Sequence, residues 1–338
     1  RGATTIAQDQ ESSVVHGMPG VAIELGGATH VMAADRIPDA LVALVRAGED
    51  CPGELILGEP ALERFYQALL VERQPIVAGD QERIYTEREE RAMAGTDAGS
   101  SAGGEQPKFA ATIEENGAQR QVLVKFSPSE ETPSGRRWAD LLASEHAAAE
   151  TLYEAGLPAA RSRVLRMRGR TFREVERFDR VGAAGRRPAL SLANLDSEFF
   201  GRADQWRLAG ERLAGRGWLS APDTRALAAL QSFGRFIANT DMHFGNITLL
   251  PDNGERLTLA PAYDMLPMLY APVNGELVQR VFEVPVPAAG REAEWLAAGR
   301  LGAKFWQIVA ADGRISDSFR EIASQNAALV QRALERLS

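Results

Sequence analysis

The pattern of apolar and polar positions changes character near residue 180. Upstream, short apolar runs bounded by turn residues predict strands, such as 108–113 and 121–126 on either side of an Asn-Gly pair. Downstream, apolar residues recur at helical spacing, as in 224–239 and 318–337. The sequence therefore predicts an α+β fold with two lobes, a β-rich N-terminal lobe and a mainly helical C-terminal lobe.

The predicted elements group into three units, residues 1–95, 96–180 and 181–338. The first is an α+β subdomain with a polar tether at 1–15, strands between 20 and 31, and a helix at 37–47. The second, the N-lobe, adds a helix at 138–155 and strands at 164–167 and 171–176. The third, the C-lobe, adds helices at 292–298 and 304–310 and a Ser318-x-x-Glu321 capping box.

Two neighbouring stretches have the composition of a linker. Residues 82–95 are strongly charged, and Gly99-Ser100-Ser101-Ala102-Gly103-Gly104 follows shortly after them. Because predicted strands come directly afterwards, we expect a glycine-rich loop that leads into a β-hairpin, an arrangement that covers phosphate groups. The loop fits neither the P-loop pattern nor the glycine pattern of protein kinases.

Composition argues against several classes of protein. The formal net charge of −8 in 338 residues argues against a surface that binds nucleic acid through its phosphates. The single cysteine, Cys51, rules out an internal disulfide and a cysteine-based zinc cluster. The sequence contains neither an apolar run of membrane-spanning length nor the pattern of a secretory leader. We therefore expect a cytoplasmic protein that binds no membrane and does not bind nucleic acid directly.

The strongest chemical signal is the octapeptide Asn239-Thr240-Asp241-Met242-His243-Phe244-Gly245-Asn246, between a predicted helix and a predicted strand. Phosphoryl transfer from ATP requires a carboxylate that accepts the hydroxyl proton and, further along the same loop, an amide oxygen that binds magnesium. Asp241 and Asn246 have the spacing of the kinase D-x-x-x-x-N loop. The competing interpretation is a helix end at which Asn and Asp act only as caps.

A second acid removes most of that ambiguity. Residues 247–250 and 256–259 predict the strands of a hairpin around an Asn-Gly turn. An antiparallel hairpin brings its outer ends together, so Asn246 and Asp264 can meet at one metal ion. Two such oxygen ligands, completed by ATP phosphates and water, suit Mg²⁺.

Two further side chains fit the same chemistry. Lys125 follows the glycine-rich loop where a kinase places the lysine that contacts ATP phosphates, and either Glu145 or Glu150 could pair with it, with Glu145 preferred. The plainer interpretation of Lys125 alone is a solvated strand residue. His243 is grouped with Asp241 as a candidate catalytic residue; it either orients the loop by hydrogen bonding or is a packed core histidine.

Four blocks of sequence together resemble the HipA-like bacterial serine/threonine kinases, which are toxins of toxin–antitoxin systems. The resemblance covers residues 50–275 and rests on Ser100-Ser101-Ala102-Gly103-Gly104-Glu105-Gln106-Pro107-Lys108, Val175-Glu176-Arg177-Phe178-Asp179-Arg180, 239–246 and Ala260-Pro261-Ala262-Tyr263-Asp264-Met265-Leu266. It implies a bilobal protein-kinase-like fold and a kinase that uses ATP and Mg²⁺. The loop is similar to that of the HipH or YjjJ branch, whose members carry a winged-helix-like region before the kinase.

The resemblance also implies roles for individual residues. Ser100 or Ser101 matches the loop serine that the family autophosphorylates, and Ser100 is the better match. Asp241 matches the catalytic base, and Asn246 and Asp264 match the two magnesium ligands. The residues implied in ATP binding are Ser101, Ala102, Gly103, Gly104, Lys108, Lys125, Glu176 and Phe178, the last two as the hinge whose backbone groups bond adenine.

The implied partners are a protein substrate, such as an aminoacyl-tRNA synthetase or another component of translation, and an antitoxin. A small-molecule kinase is one alternative, because the Asp-x-His-x-x-Asn pattern is similar to the loop of aminoglycoside and choline kinases. A regulatory module that keeps the kinase fold without catalysis is the other. Catalysis is favoured because Lys125, Asp241, Asn246 and Asp264 are all present.

Overall fold

The computed structural model describes residues 6–8, 30–32, 50–56, 58–69, 75–93, 107–182, 184–252 and 256–337. The predicted glycine-rich loop and the predicted helix at 37–47 lie outside these ranges. Near the N-terminus, strands β1 (Ile6–Gln8) and β2 (His30–Met32) pair in parallel, so part of the predicted tether is a strand. Within the same ranges, none of the helices combines the length and apolarity that a bilayer crossing requires.

The N-lobe is built on a four-stranded antiparallel sheet with the order β3-β4-β6-β5. Its strands are β3 (Lys108–Glu115), β4 (Ala118–Phe126), β5 (Ser162–Met167) and β6 (Arg170–Glu176). The β3–β4 turn has positive φ at Asn116 and Gly117, the conformation that the Asn-Gly pair favours. The predicted strands and both hairpins of this sheet are therefore confirmed.

One face of this sheet carries an aromatic core. Phe109, Phe126 and Phe172 lie with successive ring centroids 5.9 Å apart, and Tyr85 packs edge-on against Phe109 at 5.3 Å. Tyr85 belongs to α2 (Gln81–Met93), which follows α1 (Glu59–Gln67). The charged stretch whose composition resembles a linker is thus largely a helix that covers the sheet.

The C-lobe contains most of the remaining helices. Helix α3 (Pro133–Glu154) links the two lobes. The C-lobe helices are α4 (Leu192–Phe199), α5 (Trp206–Gly215), α6 (Ala221–Phe236), α7 (Glu292–Ala311) and α8 (Asp317–Glu335). A small sheet in the order β11-β10-β9 consists of β9 (Leu190–Ser191), β10 (Thr248–Pro251) and β11 (Leu257–Leu259). A two-stranded ribbon, β7 (Arg180–Val181) with β8 (Gly185–Arg186), joins the lobes.

Helix α3 connects the two lobes. It begins at the Thr132 cap, whose hydroxyl oxygen accepts a hydrogen bond from the Gly135 amide at 3.0 Å. A Cβ at Gly135 would lie 1.9 Å from the Ser129 carbonyl oxygen, so this approach requires glycine. Further along, Asp140 accepts hydrogen bonds from the Ser316 amide and hydroxyl at 2.7 and 2.6 Å. One buried helix therefore fixes the position of the sheet relative to the C-lobe.

Two predictions about the C-lobe helices are wrong. The helices predicted at 292–298 and 304–310 are one continuous helix, α7, because Gly299 and Gly302 permit close packing rather than ending the helix. A Cβ at Gly302 would lie 2.6 Å from the Cβ of Phe236. The predicted capping box at Ser318 is also incorrect, since the N-cap residue of α8 is Ser316, whose hydroxyl bonds to Asp140.

Candidate active site

The loop that carries Asp241 begins where α6 ends. Ala238 adopts a positive φ of 58°, which turns the chain sharply after the helix. The Asp241 amide donates to the side-chain oxygen of Asn239 at 3.0 Å, and the Asn246 side-chain amide donates to the Asp241 carbonyl at 2.7 Å. The loop is thereby closed at both ends, while the Asp241 side chain stays 54% exposed and open to a substrate.

His243 lies on the outer side of the same loop. Its side chain is 59% exposed, so the interpretation as a packed core histidine is wrong. Its Nδ1 accepts a hydrogen bond from the Gly245 amide at 3.0 Å, and its Nε2 lies 3.8 Å from an Asp241 carboxylate oxygen. The hydrogen bond supports the prediction that this ring orients the loop.

Lys125 is the centre of a buried group of charges. Its Nζ donates to both carboxylate oxygens of Glu145, at 2.9 and 3.0 Å, and to Asp264. The predicted choice of Glu145 over Glu150 as the partner is confirmed. Burial would lower the pKa of Lys125, but the carboxylates of Asp264 and Glu145 outweigh burial and raise it. Lys125 is therefore a charged lysine in an interior position.

A row of cations crosses the face of the sheet opposite the aromatic core. Lys108 on β3 is the cross-strand partner of Lys125 on β4, which in turn is the partner of Arg173 on β6. Side chains of such partners lie on the same face of a sheet. Arg173 is 1% exposed and reaches a Glu145 oxygen at 2.8 Å. Lys125 and Arg173 thus both pair with Glu145.

Asp264 is clamped through its backbone as well as its side chain. Its φ of 55° lies in the left-handed region, which is uncommon for a residue other than glycine. Its amide donates to Glu145 at 3.1 Å, and its carbonyl accepts from the Asn239 side chain at 3.2 Å. Burial would raise the pKa of Asp264, but the positive charge of Lys125 outweighs it and lowers the pKa. The carboxylate is held ionised, as a metal ligand must be.

The hairpin places Asn246 and Asp264 at the same end, as the sequence predicted. The Tyr263 hydroxyl donates to the Gly245 carbonyl at 3.0 Å and lies 2.8 Å from the Thr248 hydroxyl. The residues just before each predicted ligand are therefore in contact. Burial raises the pKa of Tyr263 to about 12, so this hydroxyl stays protonated and can donate.

The donor set fits Mg²⁺ better than a metal that requires an all-protein cage. Among the described residues, no group of three or more His, Cys, Asp or Glu side chains is placed to hold a metal ion. Mg²⁺ is commonly bound by one or two carboxylates together with substrate phosphates and water. Because its nitrogen donates to the Asp241 carbonyl, the Asn246 amide has its oxygen left for a metal. Asp264 and Asn246 would be the protein ligands.

The predicted hinge lies where β6 leaves the sheet. The Glu176 amide donates to the Arg161 carbonyl and the Arg177 amide to the Gln121 carbonyl, both at 2.9 Å. Phe178 packs on Tyr263 with ring centroids 5.8 Å apart, which ties the hinge to the Asp264 segment. The hinge thus runs along the same cleft as the catalytic loop.

An ion-pair network fixes the far side of that hinge. Asp179 accepts from Arg177 at 3.0 Å, from Arg180 at 2.7 Å and from the Gly53 amide at 2.9 Å. Asp50 in turn accepts from Arg177 at 2.7 Å and from Arg180 at 2.8 Å. This network anchors the residues just before α1 to the hinge.

The structure separates the predicted site residues into those it brings together and those it does not describe. Lys108, Lys125, Asp264, Asn246, Asp241, His243, Glu176 and Phe178 line one connected region. The loop residues Ser100, Ser101, Ala102, Gly103 and Gly104 lie outside the described ranges. Three positioning residues were missed as such: Asn239, Tyr263 and Arg173. The first two stand inside motifs that the sequence did single out, whereas Arg173 becomes visible only through strand pairing.

Comparison with known proteins agrees with this geometry. The sequence profile of the HipA-like C-terminal domain matches residues 100–334. Toxin YjjJ of Escherichia coli strain K12 is 37% identical over 303 residues, which are 89% of this chain and 68% of that protein. The fold is similar to that of a Shewanella oneidensis MR-1 HipA, solved with HipB and operator DNA, with a TM-score of 0.55 and 16% identity over 89% of this chain and 82% of that chain.

The first residues resemble a different family. The CheB methylesterase profile matches residues 1–41. A protein-glutamate methylesterase of Geobacter metallireducens is 63% identical over 43 residues, 13% of this chain but only 12% of that protein. This stretch contains β1 and β2. It is too short a part of the methylesterase to support that activity here. The much longer match over residues 100–334, together with the YjjJ relative, shows that this chain belongs to the HipA-like family.

Proposed function

We propose that this chain transfers the γ-phosphoryl group of ATP to a serine or threonine hydroxyl of a protein. The observation that carries the proposal is the position of Lys125, a buried lysine held between Glu145 and Asp264 and beside Lys108. An interior cation that is linked through Asp264 and Asn239 to the loop of an exposed carboxylate is suited to a polyanionic substrate that enters the cleft. Phosphoryl transfer depends on this kind of positioning and charge stabilisation.

Asp241 would act as the base. Its carboxylate is exposed, while the loop beneath it is fixed by Asn239 and Asn246. A carboxylate in this position accepts the hydroxyl proton as the oxygen attacks phosphorus. His243, bonded to the Gly245 amide, keeps the outer part of the loop in place.

The remaining residues would hold the nucleotide and its metal. Mg²⁺, when bound, neutralises the charge that develops on the phosphate oxygens. Asp264 and Asn246 supply oxygen ligands to it, and Lys125 supplies a positive charge to the phosphates. The backbone at Glu176 and Phe178 provides the adenine-binding edge, and the glycine-rich loop covers the phosphates.

The loop serines and the partners complete the proposal. Through the family resemblance, Ser100 or Ser101 would be phosphorylated by the enzyme itself. A toxin role with a HipB-like antitoxin is supported by the toxin relative and by the solved structure of HipA with HipB. The protein substrate would be a component of translation, such as an aminoacyl-tRNA synthetase.

Mass spectrometry of the purified chain before and after incubation with Mg-ATP tests this proposal, with Asp241→Asn alongside. The wild type should gain phosphate on Ser100 or Ser101, and the variant should bind Mg-ATP but transfer nothing, because the base is used only in the chemical step. Nucleotide binding without phosphate on any protein would favour a small-molecule kinase. The absence of nucleotide binding would contradict the proposal entirely.

A further inference from the structure

A cavity of about 230 Å³ lies in the C-lobe, away from the nucleotide cleft. It is enclosed by the start of α5, the second half of α6, the start of α7 and the segment that precedes α7. Cavities that take whole small-molecule ligands usually have volumes of about 300–1,000 Å³. This one is of a size for a side chain or two of a larger partner.

Two of the helices that line this cavity, α5 and α6, also support the catalytic loop. On α5, the Trp206 indole N–H donates to the His243 carbonyl at 3.2 Å, and its neighbours Gln205 and Arg207 line the cavity. On α6, a Cβ at Gly234 would lie 2.3 Å from the Met242 sulfur, and the next residue, Arg235, lines the cavity. The cavity and the loop that carries Asp241 therefore share two supporting helices.

The rim of the cavity is positive although the chain as a whole is acidic. Arg207, Arg235 and Arg291 line it, against one acidic side chain, that of Glu294. Arg207 pairs with Glu211 at 2.6 Å and Arg291 with Glu294 at 3.0 Å. Arg235 is exposed and, over the part of the chain that the structure describes, has no ion-pair partner. One guanidinium group is thus available to a carboxylate, the group that arginine binds best.

The floor and one edge of the cavity are apolar. Phe236 and Trp295 form the floor, with ring centroids 5.2 Å apart. The segment that leads to the cavity carries an aliphatic strip, defined here as the exposed side chains of Leu277, Val278, Val281 and Val286. Val281 and Val286 are 77% and 86% exposed, and Val286 also lines the cavity.

Two contacts within the same segment keep the side chains of the aliphatic strip on the surface. Between its members, Phe282 is buried against Trp306 at 6.0 Å, and the Pro285 carbonyl accepts from the Trp295 indole at 2.6 Å. A segment fixed in this way cannot turn its valines inward. Exposed aliphatic side chains grouped on one segment of a soluble protein are typical of an interaction site.

We propose that the cavity and the aliphatic strip dock a segment of the protein substrate. An acidic side chain of that segment enters the cavity and pairs with Arg235, and aliphatic residues lie along the strip, so that a nearby serine or threonine reaches Asp241. This inference rests on the proposed kinase activity and adds the class of substrate, a protein segment with acidic and aliphatic residues around the phosphorylated hydroxyl.

The test separates docking from catalysis. Binding of fluorescent serine peptides, each with leucine and valine and with one glutamate moved through the flanking positions, is measured by anisotropy on the full chain with Asp241→Asn. Glutamine peptides of the same sequences serve as the comparison. At least one glutamate peptide should bind about tenfold more tightly than its glutamine counterpart, the change expected from one charge-assisted pair of about 1.4 kcal/mol.

Arg235→Glu should abolish the preference for glutamate, and its thermal unfolding shows whether the fold is retained. Arg225→Glu changes another exposed arginine on the same helix, one that does not line the cavity, and should keep the preference. Equal binding of both peptide sets, or equal effects of the two variants, would overturn the docking proposal.

Phosphotransfer by the wild type is then measured on the same peptides. If the peptides are phosphorylated with the same kcat/KM for glutamate and glutamine, the kinase proposal stands and the docking proposal fails. If the glutamate preference in binding is present but no peptide and no loop serine receives phosphate, the docking surface stands and the kinase proposal fails.

Discussion

Two buried glutamates lie on opposite faces of the N-lobe sheet and differ in the parts of the molecule that they connect. Glu174 on β6 and Glu145 on α3 are each 1% exposed, and each is held by several donors. By burial alone they cannot be told apart. Their partners, however, come from different parts of the molecule.

Glu174 is bonded within the N-lobe. On the aromatic face it accepts from the Tyr85 hydroxyl at 2.7 Å, from Gln81, and from Arg163 at 3.1 Å. These donors come from α2, which covers the sheet, and from β5, a strand of the same sheet. Its role is to join the covering helix to the strands.

Glu145 links the two lobes. On the other face it accepts from Lys125 and pairs with Arg173, but it also accepts the backbone amide of Asp264 at 3.1 Å. Asp264 belongs to the segment after the C-lobe hairpin. The comparison teaches that a buried charge marks a functional site when its partners come from both lobes of the cleft, since structural ion pairs also bury charge.

Exchange of each carboxylate for an amide should separate the two roles most clearly. Glu145→Gln should lower phosphotransfer about 100-fold, because it releases Lys125 and the Asp264 backbone from their shared anchor. Glu174→Gln should lower the free energy of unfolding by about 1–2 kcal/mol, because its buried bonds to Tyr85 and Gln81 weaken while Arg163 is 38% exposed, and leave the kcat of the folded protein unchanged. Initial rates and urea unfolding of both variants measure this.

Similar losses of kcat in the two variants would show that the two glutamates do not differ in role. Glu150→Gln is a useful control, because Glu150 lies on the same helix as Glu145 and was the rejected partner of Lys125. It should change neither quantity.

A buried asparagine of the C-lobe, Asn239, gives a second test of whether partners in the cleft determine function. Its side chain bonds both the Asp264 carbonyl and the Asp241 amide, so Asn239→Ala should loosen both acids and lower kcat about tenfold through the loss of two hydrogen bonds. Asn326→Ala is the matched control, since Asn326 is also buried and, within the described ranges, its side chain bonds to Tyr270 alone. The control should lose stability without losing kcat.

A steady-state comparison of kcat and KM for ATP in the two asparagine variants decides the matter. If Asn326→Ala lowers kcat as much as Asn239→Ala does, a general loss of rigidity rather than the positioning of two acids would explain the effect.

The smallest expected effect is the pH dependence of the hinge network. Burial would raise the pKa of Asp179, but its hydrogen bonds and charge contacts with Arg177 and Arg180 outweigh burial and lower it. The ionised form therefore stabilises the fold above the unfolded-state pKa of about 4, and this contribution is lost as the pH falls through the lower folded-state value. Asp179→Asn should lower stability at neutral pH, and its difference from the wild type should shrink in acid.

Urea unfolding between neutral pH and acid measures this difference. Asp317→Asn, which removes an almost fully exposed carboxylate, serves as the comparison. A constant offset for Asp179→Asn would mean that its charge does not contribute to stability.

Much of the architecture could be predicted from local patterns. The strands around Asn116-Gly117 and Arg168-Gly169, helix α3 and the hairpin before Asp264 were all expected, because alternation and turn residues act over short distances. Helix α2 was missed because its many charges resemble a linker, and the few residues that anchor it, Tyr85 among them, act only once a sheet lies beneath. Helix α7 was divided in two because glycine disfavours a helix locally, whereas here it admits Phe236.

The candidate site was predictable to the extent that its residues lie in short motifs. Asp241, Asn246 and Asp264 could be named from spacing, and the hairpin placed the last two at one end. The choice of Glu145 for Lys125 needed strand pairing and the direction of α3. The basic rim at Arg235 joins residues from α5, from α6 and from the N-cap of α7, and no local pattern connects them.

The sequence by itself determined the order of the elements, the acid–amide spacing of the catalytic loop and the family to which the chain is similar, because each depends on residues close together along the chain. Only the tertiary structure decided which charges meet. Lys125, Glu145 and Asp264 are separated by up to 139 residues and come together only because α3 packs against both lobes. Once such charges are buried, each must find a partner, and the fold decides which one is within reach.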